Sequence, residues 1–177
     1  KNMAEGLGHL GSESRMTAVE AQKLLWDALE QFFEKDADFP KDANERAATH
    51  RLAVWIELLL FSRVRGLSID CEYNREGSEP KRLELKLREL ASRRSRSGCD
   101  MRSRVYPDII VHRRGEDGPN VMVVEVKRVN APDKSLEFDR EKLRLYTQEF
   151  GYHHAFLVQL GRTRTESEVE RVDGVVR

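Results

Sequence analysis

Cysteine is scarce in this chain: Cys71 and Cys99 are the only two, with no paired spacing and no histidine at a zinc-finger interval from either. That argues against a disulfide framework and against a structural zinc. No apolar run approaches the roughly 20 residues needed to span a bilayer. The first residues also lack a basic segment followed by an apolar core, so the expectation is a soluble, cytoplasmic protein with no membrane partner. Net charge is missing too, because 31 basic side chains balance 31 acidic ones, and a polyanionic partner gains no support from the total. There is no internal repeat, helix-turn-helix, zinc finger or aromatic stacking platform. No nucleic-acid recognition motif is therefore written in the chain.

What is present fits one compact domain. A chain of 177 residues is long enough to bury about two thirds of its unfolded surface. Residues 1–15, with Gly6, Gly8 and Gly11 among scattered serines, read as a flexible tail, which leaves 16–177 as the domain. Charge is uneven within it. Between Lys81 and Tyr106 nine Lys or Arg face three acids, a local excess that suits a phosphate-binding surface as well as it suits a solvated loop.

Met16 to Glu34 carries apolar residues at Val19, Leu24, Leu25, Ala28, Leu29, Phe32 and Phe33, the spacing of an amphipathic helix. Asp42 or Asn44 caps a second helix running to about Phe61, apolar on nearly all sides from Leu52 onward. Leu67 to Tyr73 is a strand candidate, and the basic stretch around Leu83, Leu87 and Leu90 leans to helix. Two β-branched runs follow, Val105 to His112 and Val121 to Val129, joined by a connection with Gly115, Gly118 and Pro119 and so read as a hairpin. A helix from Asp133 or Ser135, with Leu136, Leu143, Tyr146 and Phe150 on one stripe and Gly151 as its cap, leads to a last strand, Ala155 to Leu160. The polar tail after Gly161 carries no assignment. The order predicts a mixed α/β domain.

If the hairpin turn centres between Glu116 and Asp117, residues whose numbers sum to 233 face each other, and Asp108 lies opposite Glu125. Side chains alternate along a strand, so Glu125 and Lys127 share one face. Asp108, Glu125 and Lys127 then form one charged patch among Ile109 to Val111 and Val121 to Val124. Such apolar company makes three ionisable groups costly unless a metal or partner compensates them. Two hard carboxylates with backbone carbonyls, Val126 among them, suit Mg²⁺ or Mn²⁺ better than zinc. An ion there would polarise a phosphate and acidify water, with the ammonium of Lys127 offsetting charge at phosphorus. The competing reading is a surface ion pair of Glu125 and Lys127 worth about 0–1 kcal/mol.

Pro107-Asp108 followed by Glu125-Val126-Lys127 on the next strand resembles the signature of the PD-(D/E)xK nuclease superfamily. The resemblance extends over 44–159: helix, three strands, helix, strand. It implies a restriction-endonuclease-like α/β core, a mixed central sheet flanked by helices, here with an extra N-terminal helix. It implies a Mg²⁺- or Mn²⁺-dependent nuclease acting on nucleic acid, DNA before RNA, with Asp108, Glu125 and Lys127 catalytic and Asp108, Glu125 and Val126 at the metal. The superfamily commonly adds a helical acid. Glu45, in line with Ala48, Leu52 and Leu59, is the choice for both catalysis and metal, and Glu57 is its competitor. Gln148 and Tyr152 match the spacing of a further superfamily pair, although Gly151 interrupts the helix between them. Arg93, Arg94, Arg96, Arg102 and Arg104 become the nucleic-acid contacts, and Tyr73-Asn74-Arg75 and His112-Arg113-Arg114 also stand at strand ends within reach of phosphate. A homodimer would allow two sites to cut two strands. Two other readings stand beside this one: a catalytically inactive nuclease-like module that binds nucleic acid or an assembly, and an interaction protein that dimerises through Leu52 to Phe61. His50, His153 and His154 are read as structural.

Overall fold

A computed structural model describes residues 16–36, 44–62, 64, 66–71, 106–114 and 119–173. The basic block from Lys81 to Arg104, with Arg93, Arg94, Arg96, Arg102 and Arg104, lies outside the described residues, as do Cys99, Tyr73-Asn74-Arg75 and the hairpin turn.

Helix α1, Ala18–Lys35, begins with a capping box: the Thr17 hydroxyl accepts from Glu20 N at 3.2 Å while the Glu20 carboxylate accepts from Thr17 N at 2.7 Å. It buries Ala21, Leu24, Leu25, Ala28, Leu29 and Phe32. Val19 falls off that stripe and is exposed, because Ala21 sets the centre of the inward face. Helix α2, Glu45–Phe61, is capped by Asn44, whose side-chain oxygen accepts from Ala47 N at 2.8 Å. The Asp36 carboxylate that ends α1 accepts from Arg51 Nε and Nη2, both at 2.7 Å, and from the Trp55 indole, joining the two helices. Toward its end α2 is less buried than its composition predicts: Leu58 and Phe61 are exposed in the described structure.

The described strands make one five-stranded mixed sheet in the order β1 (Ser68–Cys71), β2 (Ile109–His112), β3 (Asn120–Arg128), β4 (His154–Leu160), β5 (Glu168–Arg171). β3 and β4 are parallel and every other neighbouring pair is antiparallel. The parallel pair requires a crossover, supplied by α3, Asp133–Phe150, which ends on Gly151 in the left-handed conformation at φ 64°. β2 is shorter than expected: Tyr106 to Asp108 precede it without strand structure, and Pro107 has no N–H for a ladder. Past Gly161 the chain returns through a 3-10 turn, Arg164–Glu166, to form β5, an edge strand without an assignment in the sequence reading.

Helices α1 and α2 cover one face of the sheet, where they pack on Ile109, Val111, Met122, Val124, Val126, Phe156 and Val158. α3 covers the other through Leu136, Leu143 and Tyr146 against Ile110, Val123, Ala155 and Leu157. β3 is thus covered on both sides, which explains its almost unbroken apolar sequence. Each leucine fully buried in these layers contributes about 1.5–3 kcal/mol. No helix among the described residues is long and apolar enough to cross a membrane.

Candidate active site

The charged residues stand on the α3 side of β3. The pairs Ile109↔Val124, Ile110↔Val123 and Val111↔Met122 fall in the expected register, and only at His112 does a bulge shift the partner to Asn120. Val126 faces α1 and α2, so strand alternation turns Glu125 and Lys127 toward α3. Asp108 sits one position before β2. There the ladder has ended, and the Asp108 carboxylate accepts a 2.7 Å hydrogen bond from Val126 N, satisfying a backbone donor that would otherwise be left over.

Lys127 is buried, and its ammonium donates to Glu45 Oε1 at 3.0 Å and to the Val126 carbonyl at 3.3 Å. Asp139 Oδ2 lies 3.6 Å from the same nitrogen. Burial alone would pull the Lys127 pKa down, but the carboxylates of Asp139, Asp108, Glu125 and Glu45 more than offset it and raise the pKa above 10.5. In this arrangement Lys127 is a fixed cation.

Glu125 is fully buried, with Oε2 in ion-pair contact with Lys142 Nζ at 2.6 Å and Oε1 without a hydrogen-bond partner among the described residues. Burial pushes its carboxyl well above the usual range, Lys142 opposes this, and Asp108 and Asp139 add to it. Asp139 is raised as well, by burial first, with Lys142 and Lys127 opposing and Asp108 and Glu45 reinforcing. Among the described residues four carboxylates, those of Asp108, Glu125, Asp139 and Glu45, therefore face two ammonium groups, and this set when fully ionised carries two excess negative charges.

Asp139 and Lys142 were not singled out by sequence reasoning. Three apart, they share a helix face, on the stripe that also holds Leu136, Leu143 and Tyr146. Two charges interrupting an apolar stripe were the available signal.

Among the described residues no group of three or more His, Cys, Asp or Glu side chains converges to hold a metal. Glu45, expected at the metal, is paired with the Lys127 ammonium in this structure, as Glu125 is with Lys142. The other oxygens at the site are those of Asp108, Glu125 and the Val126 carbonyl, and Glu125 Oε1, without a hydrogen-bond partner among the described residues, gives the set an open acceptor. Those hard donors and the excess of two negative charges fit a divalent ion of the Mg²⁺ or Mn²⁺ kind.

Other candidates stand apart. Glu57 and His50 are exposed, Gln148 is exposed on α3, and Tyr152 is buried in the apolar layer beneath it. His154 Nε2 donates to the Met16 carbonyl at 2.8 Å. At the sheet edge Asp70 Oδ2 accepts from His112 Nε2 at 2.7 Å and from Arg114 Nε at 3.0 Å. Burial would raise the Asp70 carboxyl, but Arg114 and His112 outweigh it and hold it low. Arg114 thus serves Asp70 in this structure, where the sequence placed it within reach of phosphate. Comparison with protein-family models, with curated proteins and with solved structures finds no match.

Proposed function

We propose that this chain is a divalent-metal-dependent nuclease of the PD-(D/E)xK kind, built on a restriction-endonuclease-like core and hydrolysing phosphodiester bonds in DNA. The observation that carries the reading is the meeting of Asp108, the fully buried Glu125, Lys127 and Glu45 at one point of the sheet, with Lys127 held as an ammonium 3.0 Å from Glu45. A cluster with uncompensated charge inside an apolar core is costly, and such clusters concentrate at functional sites.

Asp108, Glu125 and the Val126 carbonyl would hold the ion. When bound, Mg²⁺ supplies Lewis-acid polarisation of a phosphate oxygen and lowers the pKa of water. Asp108 is oriented by its bond from Val126 N, so its carboxylate is fixed by the backbone of the strand that carries Glu125. Lys127 is kept protonated by its carboxylate neighbours. It would act as an electrostatic donor to the charge that develops on phosphate. Glu45, in the first turn of α2, positions that ammonium from the far side. Arg93, Arg94, Arg96, Arg102 and Arg104 lie 4 to 15 residues before Asp108 in the chain and would supply backbone phosphate contacts. A homodimer would present two such sites to two strands.

One observation favours the second reading, an inactive nucleic-acid-binding module: Lys142 already lies on Glu125 at 2.6 Å. Cleavage of linear duplex, single-stranded and branched DNA with Mg²⁺ or Mn²⁺ separates the two, with RNA as a parallel substrate. Metal-dependent cleavage that falls on the order of 10²–10³-fold in Asp108→Ala and Lys127→Ala is expected. No cleavage by the wild-type protein on any of these substrates, with no divalent-ion binding by calorimetry, would sink the nuclease reading.

A further inference from the structure

Lys142 is the least expected residue of the cluster. Its side chain is almost wholly buried, at 2% relative exposure, so it cannot meet a nucleic acid on the surface without leaving its place. Its ammonium is surrounded by oxygens: Glu125 Oε2 at 2.6 Å, the Tyr106 carbonyl at 3.3 Å and Asp139 Oδ1 at 3.8 Å. Tyr106 stands two residues before Asp108, so these oxygens border the same end of β2 and β3 that carries the proposed metal ligands. A carboxylate and a main-chain carbonyl around one positive charge form the environment a hard cation takes.

We infer that Lys142 is a positioning residue, an internal cation that occupies the metal seat on Glu125 in the metal-free protein and moves onto Asp139 when a divalent ion arrives. The inference rests on the metal site proposed above. Three observations carry it. Among the described residues the four carboxylates and Lys127 lack three positive charges, and Lys142 brings one, so it fills the seat only in part. Among the described residues Glu125 Oε1 still has no hydrogen-bond partner with Lys142 in place. Asp139, one turn earlier on α3, already stands 3.8 Å from the ammonium, and among the described residues its Oδ2 has no hydrogen bond, only the 3.6 Å ion-pair contact with Lys127. A four-carbon flexible stem reaches either carboxylate from one backbone position. Because the ion competes with a resident cation, the measured affinity is the intrinsic one reduced by the fraction of molecules with the seat open.

The test uses Mn²⁺ as the ligand and calorimetry as the readout, with the whole chain in wild-type, Lys142→Met, Lys142→Arg, Asp139→Asn and Asp108→Ala forms. Lys142→Met removes the competitor and tightens Mn²⁺ binding by about tenfold or more. Lys142→Arg retains the charge and does not tighten it, and Asp139→Asn removes the second resting place and weakens binding. A crystal structure of the wild-type protein with Mn²⁺ shows the ion on Glu125 and the Lys142 ammonium on Asp139, a measurement that does not depend on any variant folding. Unchanged or weaker binding in a folded Lys142→Met, or a Lys142 that stays on Glu125 with Mn²⁺ bound, overturns the inference even where wild-type binding is present and lost in Asp108→Ala. Absence of wild-type Mn²⁺ binding overturns the metal site itself, and this inference with it.

Discussion

Replacing Lys127 by methionine isolates the charge of the central lysine while keeping its length. In the folded protein its ammonium stands 3.0 Å from Glu45 and 3.6 Å from Asp139. At an effective dielectric constant near 20 each contact has a Coulomb energy of about 5 kcal/mol before desolvation. Much of that is cancelled by the cost of taking the charges out of water, and the Glu45 share is discounted further because its side chain is one third exposed. Removing one partner of a buried ion cluster leaves a net loss of about 3–5 kcal/mol. For a domain of this size that is a fall in melting temperature of roughly 6–20 °C. The assay is thermal and denaturant unfolding in the presence of a chelator. The pH dependence gives a second handle. The folded pKa of Lys127 is raised, so its own contribution is complete below 10.5 and is lost as pH climbs through the folded value. Glu125 and Asp139 are also raised. For carboxyls that sign means the metal-free protein loses stability as pH rises above their unfolded values near 4.5 and 3.8. The penalty of Lys127→Met is therefore expected to shrink in acid, where these carboxyls take up protons. A loss under about 1 kcal/mol at pH 7, or one that grows toward acid, would refute this account of the cluster.

Asp108→Asn keeps an oxygen that can accept from Val126 N, so melting stays within about 2 °C of wild type while calorimetry shows Mn²⁺ binding lost. Glu45→Gln is expected to slow cleavage, because it loosens the Lys127 ammonium, whereas Glu57→Gln, exposed on α2, leaves it unchanged. A steady-state comparison of the two variants on one DNA substrate decides the point, and equal effects would remove Glu45 from the site. A Cβ on Gly161 would lie 2.5 Å from Glu166 Cβ and 2.7 Å from Glu166 C. Gly161→Ala should thus cost about 1–3 kcal/mol and speed amide exchange in β5.

The β2–β3 register, the three described helices and the three-residue charged patch could be read from the sequence because each rests on a local period. The alternation of β3 turned Glu125 and Lys127 to one side, and the hairpin sum placed Asp108 beside them. Asp139 and Lys142 were hidden for a physical reason: a helical stripe is recognised by its apolar members, and charges on it register as interruptions until the opposing surface is known. Leu58 and Phe61 are exposed in the single chain, since hydrophobicity alone does not say whether the neighbour is the sheet or a partner. β5 was missed because an edge strand as charged as Glu168–Arg171 lacks the alternation that marks a half-buried one.

The crossover connecting β3 to β4 has a kinetic consequence. Glu125, Lys127, Asp139 and Lys142 all belong to the single strand-and-helix stretch from β3 into α3, whereas Glu45 meets Lys127 from 82 residues away. Short loops close at low entropic cost, so the opposing charges of β3 and α3 can neutralise one another as soon as that unit collapses. Glu45 joins when α2 docks on the sheet, across a separation of 82 residues. The oppositely charged groups on α3 thus serve assembly too, because they allow β3 to be covered by its own following helix before the distant parts of the chain arrive.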